Sequence, residues 1–345
     1  PDFRMTRRAA WHAFAAACDH TFADVARELG VSTGHVRDAF WRTAHQADAL
    51  LRPEAPRVLG IDEVHLPQRV CAVLVNAETG AIVDLLPGYS RAAVAAGIRG
   101  LQGHEDVQAI TMDFAGAYVG AVADVYGDTR PPIVLDRRHV LELARRRMEA
   151  VRKELRDHFP KGQRRDVTTL INAREHRLTA GRRRQLRETL DAHPRLRAAH
   201  QAKESFYRIF EQPDRAAAEA AFDQWAATAP ADFTTVADVV RQRRADVFAA
   251  FDWPGVTNAR TENLNGRLKV LYQRVRGYGP GGFAAFRLLA LHRLGERRPD
   301  VVAEAMAARA ILDGRAPWRE RSDAEVREII DGLTPRLAAW GRRLS

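Results

Sequence analysis

RVLGIDEVHLPQRVCAVLVNAETGAIVDLL, residues 57–86, decides the fold class. Three β-prone runs stand out in it: Val58-Leu59-Gly60-Ile61-Asp62, Val70 to Val75, and Ala81 to Leu86. Each is short and rich in Val, Leu and Ile, which suit a pleated, buried surface. Ala77-Glu78-Thr79-Gly80 separates the last two and has the composition of a hairpin turn. Past residue 86 the periodicity alternates. The pattern predicts a helix over Ala92–Leu101, a strand over Val107–Asp113, a helix over Gly116–Tyr126 and a strand over Pro132–Asp136.

Three strands of antiparallel type followed by αβαβ is the element order of an RNase H-like fold. Outward from this block the chain reads as helical on both sides. On the N-terminal side, Trp11, Phe14, Cys18, Phe22, Val25 and Leu29 recur at helical spacing, Gly30 interrupts them, and Ser32 can cap a further helix through Val36 and Phe40. Arg52-Pro53-Glu54-Ala55-Pro56 reads as a linker, because two prolines in so short a run stop a helix. On the other side, residues 138 to 252 carry Arg-rich helical patterns with no strand signal, ended by Trp253-Pro254-Gly255. A helix beginning near Thr261 follows, then the loop Gly277 to Gly282, an amphipathic helix over Phe283–Leu294, and a helical remainder. The expected divisions are therefore 1–52, 57–140, 141–254, 255–298 and 299–345: an α+β multidomain chain whose α/β core is interrupted by an all-helical insertion.

Of 345 residues, 46% are hydrophobic and 28% charged, which excludes a wholly disordered chain. No run of about 18 apolar residues is present, so no membrane-spanning helix is expected. The first residues have no apolar signal core, and a cytoplasmic, nucleoid-associated location is expected. Two cysteines, Cys18 and Cys71, are too few for a disulfide framework or a thiol zinc site. Lys and Arg total 54 against 44 acids, a net charge of +10, and all but four of the 54 are Arg. Between Arg137 and His200 stand 19 basic and 8 acidic residues, a net +11 that accounts for the whole surplus. A positive field so concentrated suits a polyanion. Its densest cluster, Arg182, Arg183 and Arg184, follows Gly181 near an expected helix start, where the dipole adds to the pull on phosphate.

Two constellations carry chemistry. Residues 22–42 fit a helix-turn-helix: Ala26 where the helices touch, Gly30 at the turn, Val36 as the anchor of the second helix. That spacing puts Thr33, His35 and Arg37 on the early turns of a recognition helix, within reach of a major groove. An ordinary helical hairpin is the alternative. The second constellation is acidic. Asp62 and Asp113 each close an expected strand, and Glu262 opens an expected helix, with Asn265 and Lys269 following on the same face. Two-metal phosphoryl transfer needs carboxylates at such positions, because Mg²⁺ takes hard oxygen ligands and the two ions sit about 4 Å apart. Asp136 and His139 span a strand-to-helix junction and either approach this site or serve as helix cap and neighbour. His65, His104, His176 and His200 show no metal-binding spacing.

Ile61-Asp62-Glu63, Thr111-Met112-Asp113 with Tyr118 following, Asp136-Arg137-Arg138-His139-Val140, and Asn258 through Lys269 closing on Gly277-Tyr278 together resemble the DDE transposases of the ISL-three insertion-sequence family. The resemblance spans about residues 5–295. It implies a helix-turn-helix followed by an RNase H-like core interrupted by a helical insertion. It further implies Asp62, Asp113 and Glu262 as catalytic and metal-binding residues. The chain departs from the family in lacking a Cys-rich N-terminal segment and in carrying Arg138 where the family's Asp-x-Phe-His element has an aromatic. It also has Asn263 where Gly is usual, and His65-Leu66-Pro67-Gln68 in place of a basic, glycine-containing turn.

The expectation is a DNA transposase that cleaves and joins strands with two Mg²⁺ or Mn²⁺ ions, acting as a homodimer on double-stranded DNA. Its DNA partners would be the element's terminal inverted repeats and a target. Thr33, His35, Arg37, Arg182, Arg183, Arg184 and Lys269 are the expected DNA contacts, and Asp136, His139 and Asn265 the accessory residues. Two alternatives are a domesticated DNA-binding regulator and an RNase H-like nuclease or resolvase that cuts without joining.

Overall fold

A computed structural model describes residues 5–113, 116–275 and 282–312. Three helices come first: α1 (Arg7–Asp19), α2 (Phe22–Leu29) and α3 (Thr33–Leu50). Thr6, Thr21 and Ser32 cap them, each hydroxyl accepting from the backbone N–H three residues on. Gly30 turns the chain between α2 and α3 at φ 63°, a left-handed conformation open to glycine at little cost. Val25, Ala26 and Val36 are buried where these two helices meet.

The sheet contains β1 (Val58–Leu66), β2 (Arg69–Asn76), β3 (Ile82–Leu85), β4 (Ala109–Met112) and β5 (Ile133–Leu135), in spatial order β3-β2-β1-β4-β5. β1, β2 and β3 pair antiparallel, while β4 runs parallel to β1 and β5 parallel to β4. The helices α4 (Arg91–Arg99) and α5 (Gly116–Tyr126) make the crossovers. This is the expected strand order, with one difference. β1 does not stop at Asp62 but runs to Leu66, because Val64 and Leu66 continue the buried alternation past the polar Glu63 and His65.

Seven helices follow: α6 (Arg137–Glu154), α7 (Arg164–Asn172), α8 (Ala180–Ala192), α9 (Pro194–Ile209), α10 (Arg215–Thr228), α11 (Thr234–Gln242) and α12 (Arg244–Asp252). α6 starts directly beyond β5, and α12 returns to the sheet, burying Ala249 against Val58, Ala109 and Val134. The chain then forms α13 (Ala259–Arg274), α14 (Gly282–Leu294) and α15 (Pro299–Leu312). Gly277 and Tyr278, and residues 313–345, lie outside the described residues. Among those described, no helix is long and apolar enough to cross a membrane.

The two faces of the sheet bury different partners. Leu59, Ile61, Ile110 and Met112 join a core with α4, α5, α6 and the helices beyond. On the opposite face Val64, Val73 and Val75 join Leu264 and Leu268 of α13, Phe286 of α14, and Phe14, Val36 and Phe40 of the N-terminal helices. Gly60 is what lets α13 lie so close. A Cβ there would stand 3.0 Å from Thr261 Oγ1 and 3.3 Å from Val75 Cβ. The end of α14 crosses the sheet's edge, where Gly295 forms a parallel bridge with Ile82 of β3.

Candidate active site

Strand alternation aims Asp62 at α13, since Gly60, Asp62 and Val64 share one face of β1. The parallel register pairs Ile61 with Met112, so one residue further on Asp62 and Asp113 emerge side by side. α13 crosses this point with Glu262 in its first turn, the Glu262 N–H bonding Asn258 O at 2.9 Å. One position on each of three elements thus converges from residues far apart in the chain.

Amides hold two of the three carboxyls. Asn265 Nδ2 donates to Asp62 Oδ2 at 2.8 Å and to Glu63 O at 3.2 Å, and the Glu63 N–H donates to Asp62 Oδ1 at 2.8 Å. Asn258 Nδ2 donates to Asp113 Oδ1 at 3.1 Å. His139 Nε2 lies 3.0 Å from Asp113 Oδ1 and 3.9 Å from Glu262 Oε1. Arg138 Nη2 is ion-paired to Glu262 Oε1. Asp136 is turned away from this exchange. It caps α6 by accepting from the Arg138 N–H at 2.7 Å, and accepts from the Asn258 N–H at 3.0 Å, so it fixes the segment that presents Asn258.

The electrostatics are those of acids held too close together. Burial pushes the Asp62 carboxyl up to about 6, and the nearby charges of Asp113, Glu63 and Glu262 add to the rise against the Glu63 N–H. Burial also raises Asp113, with His139 opposing and Asp136 and Glu262 adding. Tyr118 is buried beside Glu63 and Asp62, and its phenol is raised as well. Asn258 Oδ1, Asn265 Oδ1, Thr111 Oγ1 and Thr261 Oγ1 are buried here without a hydrogen-bond partner. Such atoms are rare in folded proteins, and here several of them lie on the elements that carry the three carboxyls. Among the described residues, no group of three or more His, Cys, Asp or Glu, these carboxyls included, is placed so that it could hold a metal ion as it stands.

A family profile described as Transposase, of the ISL-three DDE type, matches residues 59–289, from β1 into α14. The chain belongs to that transposase family. A comparison with curated proteins gives no match. The match embraces the whole sheet and α13, and with them Asp62, Asp113 and Glu262; α1, α2 and α3 precede it.

The structure of this transposase-family chain gathers Asp62, Asp113, Glu262, Asn265, Asp136 and His139 at one place. The other residues singled out in the sequence lie elsewhere. Thr33 and Arg37 are exposed at the start of α3, while His35 is half-buried with Nδ1 3.0 Å from the Ser32 hydroxyl. Arg182 and Arg184 are exposed on the first turn of α8, and Arg183 donates to Leu178 O at 3.1 Å. Lys269 is exposed on α13, past the end that faces the carboxylates. Asn258 and Arg138 reach the site without having been picked out as site residues. The only signal for Arg138 was its place in a position where the family carries an aromatic, and Asn258 had none beyond opening the Glu262 segment.

Proposed function

We propose that this chain is a DNA transposase in which Asp62, Asp113 and Glu262 hold two Mg²⁺ or Mn²⁺ ions and catalyse strand cleavage and transfer. The convergence of the three carboxyls through the β1–β4 register and the first turn of α13 carries this reading. The donor set suits hard divalent cations, being three carboxylates with two unpartnered amide oxygens beside them. Asp62 itself is raised first by burial and then by the charges of Asp113, Glu63 and Glu262, so a cation between these acids would favour its ionised form. When bound, such ions activate the attacking oxygen and stabilise the leaving one. The chain's own residues prepare for that. Asn265 and Asn258 hold Asp62 and Asp113 in place, Asp136 braces Asn258, Arg138 pairs with Glu262, and His139 lies against Asp113.

DNA would be held at three further places. In the helix-turn-helix reading, Thr33 and Arg37 present exposed side chains to the major groove while His35 closes the cap of α3. In the Arg-rich insertion, ion pairs occupy many of the arginines, including Arg145, Arg147, Arg152, Arg164, Arg174 and Arg195. Arg165 on α7, Arg177 in the turn that follows, and Arg182, Arg184 and Arg187 on α8 have no described acid within ion-pair distance, and together they are the proposed phosphate-binding residues. Lys269 would contact DNA from α13. The domain divisions follow: a reading unit over 1–52, a core over 57–140 and 255–298, an insertion over 141–254 and a C-terminal part over 299–345, acting as a homodimer on the element's ends and target.

Asp62→Asn, Asp113→Asn and Glu262→Gln each test the assignment on end-bearing duplex with Mg²⁺. The expected result is loss of cleavage with DNA binding retained. Near-normal cleavage by one variant removes that residue from the site. A strand-transfer assay separates a transposase from a nuclease that only cuts.

A further inference from the structure

Arg287 of α14 bridges two acids from separate elements, α3 and β3. Its Nε and Nη2 donate to Asp84 of β3 at 2.6 and 3.1 Å, and its Nη1 donates to Asp48 of α3 at 3.1 and 3.2 Å. Arg297 pairs with the same Asp48 and donates to Leu51 O at 2.9 Å. Arg293 caps the end of α1 by donating to Ala17 O at 3.0 Å and His20 O at 2.7 Å. Beneath these contacts the buried His292 ring sits edge-on to Phe14 and Phe40, with centroids 5.3 and 5.9 Å away. Even the proline-flanked segment after α3 is pinned, Ala55 N to Gln102 O and Gln102 N to Pro53 O, each at 2.9 Å. A hinge between the N-terminal helices and the sheet would need these groups free, and they are all engaged.

The clamp acts near one end of α3, while Thr33 and Arg37 stand near the other. At 1.5 Å per residue, Thr33 and Asp48 are about 22 Å apart along the axis, roughly six base-pair steps of 3.4 Å. α14 in turn packs on β3 and on α13, the helix that carries Glu262. The path from the exposed end of α3 to the carboxylates therefore runs through packed helices and a fork of bidentate bonds, with no free tether. Bidentate Arg–carboxylate pairs restrict geometry as well as adding attraction.

We propose that Arg287 is a specificity-determining positioning residue: by locking α3 to β3 it fixes the distance from the DNA-reading surface to the cutting carboxylates, and so fixes where the strand is cut relative to the recognised sequence. This rests on the function proposed above for α3 and for the carboxylates. In place of a flexible reading head, the chain carries a rigid ruler.

The test maps cut positions at nucleotide resolution on duplexes carrying the element's end, with two or five base pairs inserted between the recognised sequence and the normal cut. The full chain is expected to keep a single cut that moves with the recognised sequence. Arg287→Met keeps the side-chain stem and every carboxylate of the site. It is expected to spread the cuts over several positions while the footprint on the recognised sequence stays unchanged. A single unshifted cut by Arg287→Met overturns the ruler. Amide hydrogen exchange of the DNA-free protein examines the clamp separately. Protection of α1–α3 should match that of the sheet and fall about tenfold or more in Arg287→Met, as expected when a partly buried ion pair is broken. Unchanged protection overturns the clamp, whereas a chain that cuts no DNA but shows the exchange effect overturns only the transposase reading. Should Arg287→Met not fold, Asp48→Asn is the milder variant, with an intermediate loss expected and no loss refuting.

Discussion

Asp62→Asn should make the metal-free protein more stable at neutral pH. The substitution keeps the shape of the side chain and removes its charge from a place where 8% of its surface is exposed. The Glu63 N–H keeps an oxygen to bond, and a flip of the Asn265 amide brings its unpartnered Oδ1 to the new N–H donors, at the cost of the Nδ2 bond to Glu63 O. The folded-state carboxyl sits at about 6 against an ordinary 3.8. A difference of about two units is worth about 3 kcal/mol. The sign follows from proton linkage. The folded state binds this proton more tightly than the unfolded one, so wild-type stability from this group falls as pH rises from about 4 to 6, and the penalty is complete above 6. The variant carries no such penalty. It should exceed wild type by about 3 kcal/mol at pH 7.5 and by almost nothing at pH 4. Buried His200 and His292, each lowered to about 4 by burial, titrate with the opposite effect, but both proteins share them and the difference removes them. Urea unfolding with a chelator present, at pH 4, 5 and 7.5, measures it. Equal or lower stability of the variant at pH 7.5, or a gain independent of pH, refutes the argument. Adding Mg²⁺ should reverse the order, because ligand that binds only the folded state stabilises it by mass action and the variant has lost a proposed ligand.

Replacing Arg138 by Phe removes the cation paired with Glu262, and calorimetric titration with Mn²⁺ should show binding about two- to fivefold tighter, the scale of an exposed ion pair; unchanged affinity would mean that Arg138 does not compete. Thr33→Ala with Arg37→Ala should weaken binding to the element's end by more than to random duplex, each base contact being worth about 1–3 kcal/mol of discrimination, and equal losses on both DNAs would exclude groove reading. Changing Arg182, Arg183 and Arg184 together to Glu should flatten the log-affinity against log-salt slope by about two, at roughly 0.9 for each of the two contacts assigned to Arg182 and Arg184; an unchanged slope leaves the triplet without a phosphate role.

The sheet was legible because its strands are short apolar runs separated by turn residues, and local patterning encodes such elements directly. Asp62 was harder to place. Polar Glu63 and His65 suggested that the strand had ended, when they are the outward half of an alternation that Val64 and Leu66 complete. The proline-flanked segment read as a linker, and only a partner about fifty residues away, Gln102, reveals that its backbone is bonded. Long-range pairing hid the rest. Nothing local to Asn258 indicates that it meets Asp113, or to Arg287 that it spans Asp48 and Asp84. A charge count met the same limit. The surplus between Arg137 and His200 was plain, but which arginines are already engaged by acids depends on how the helices pack.

Gly295 has a consequence for how copies of this chain coexist. A side chain at that position would collide with Leu291 O and come to 2.8 Å from Ile82 O. The end of α14 would then lift away from β3, and the outermost strand would show unpaired N–H and C=O groups to any neighbour. A bare strand of this kind is a template for edge-to-edge sheet growth between molecules. A protein proposed to act as a homodimer on DNA holds two copies at high local concentration, where such growth is fastest. Kept bridged to Gly295 at Ile82, that edge is expected to stay closed to the sheet of a neighbouring copy.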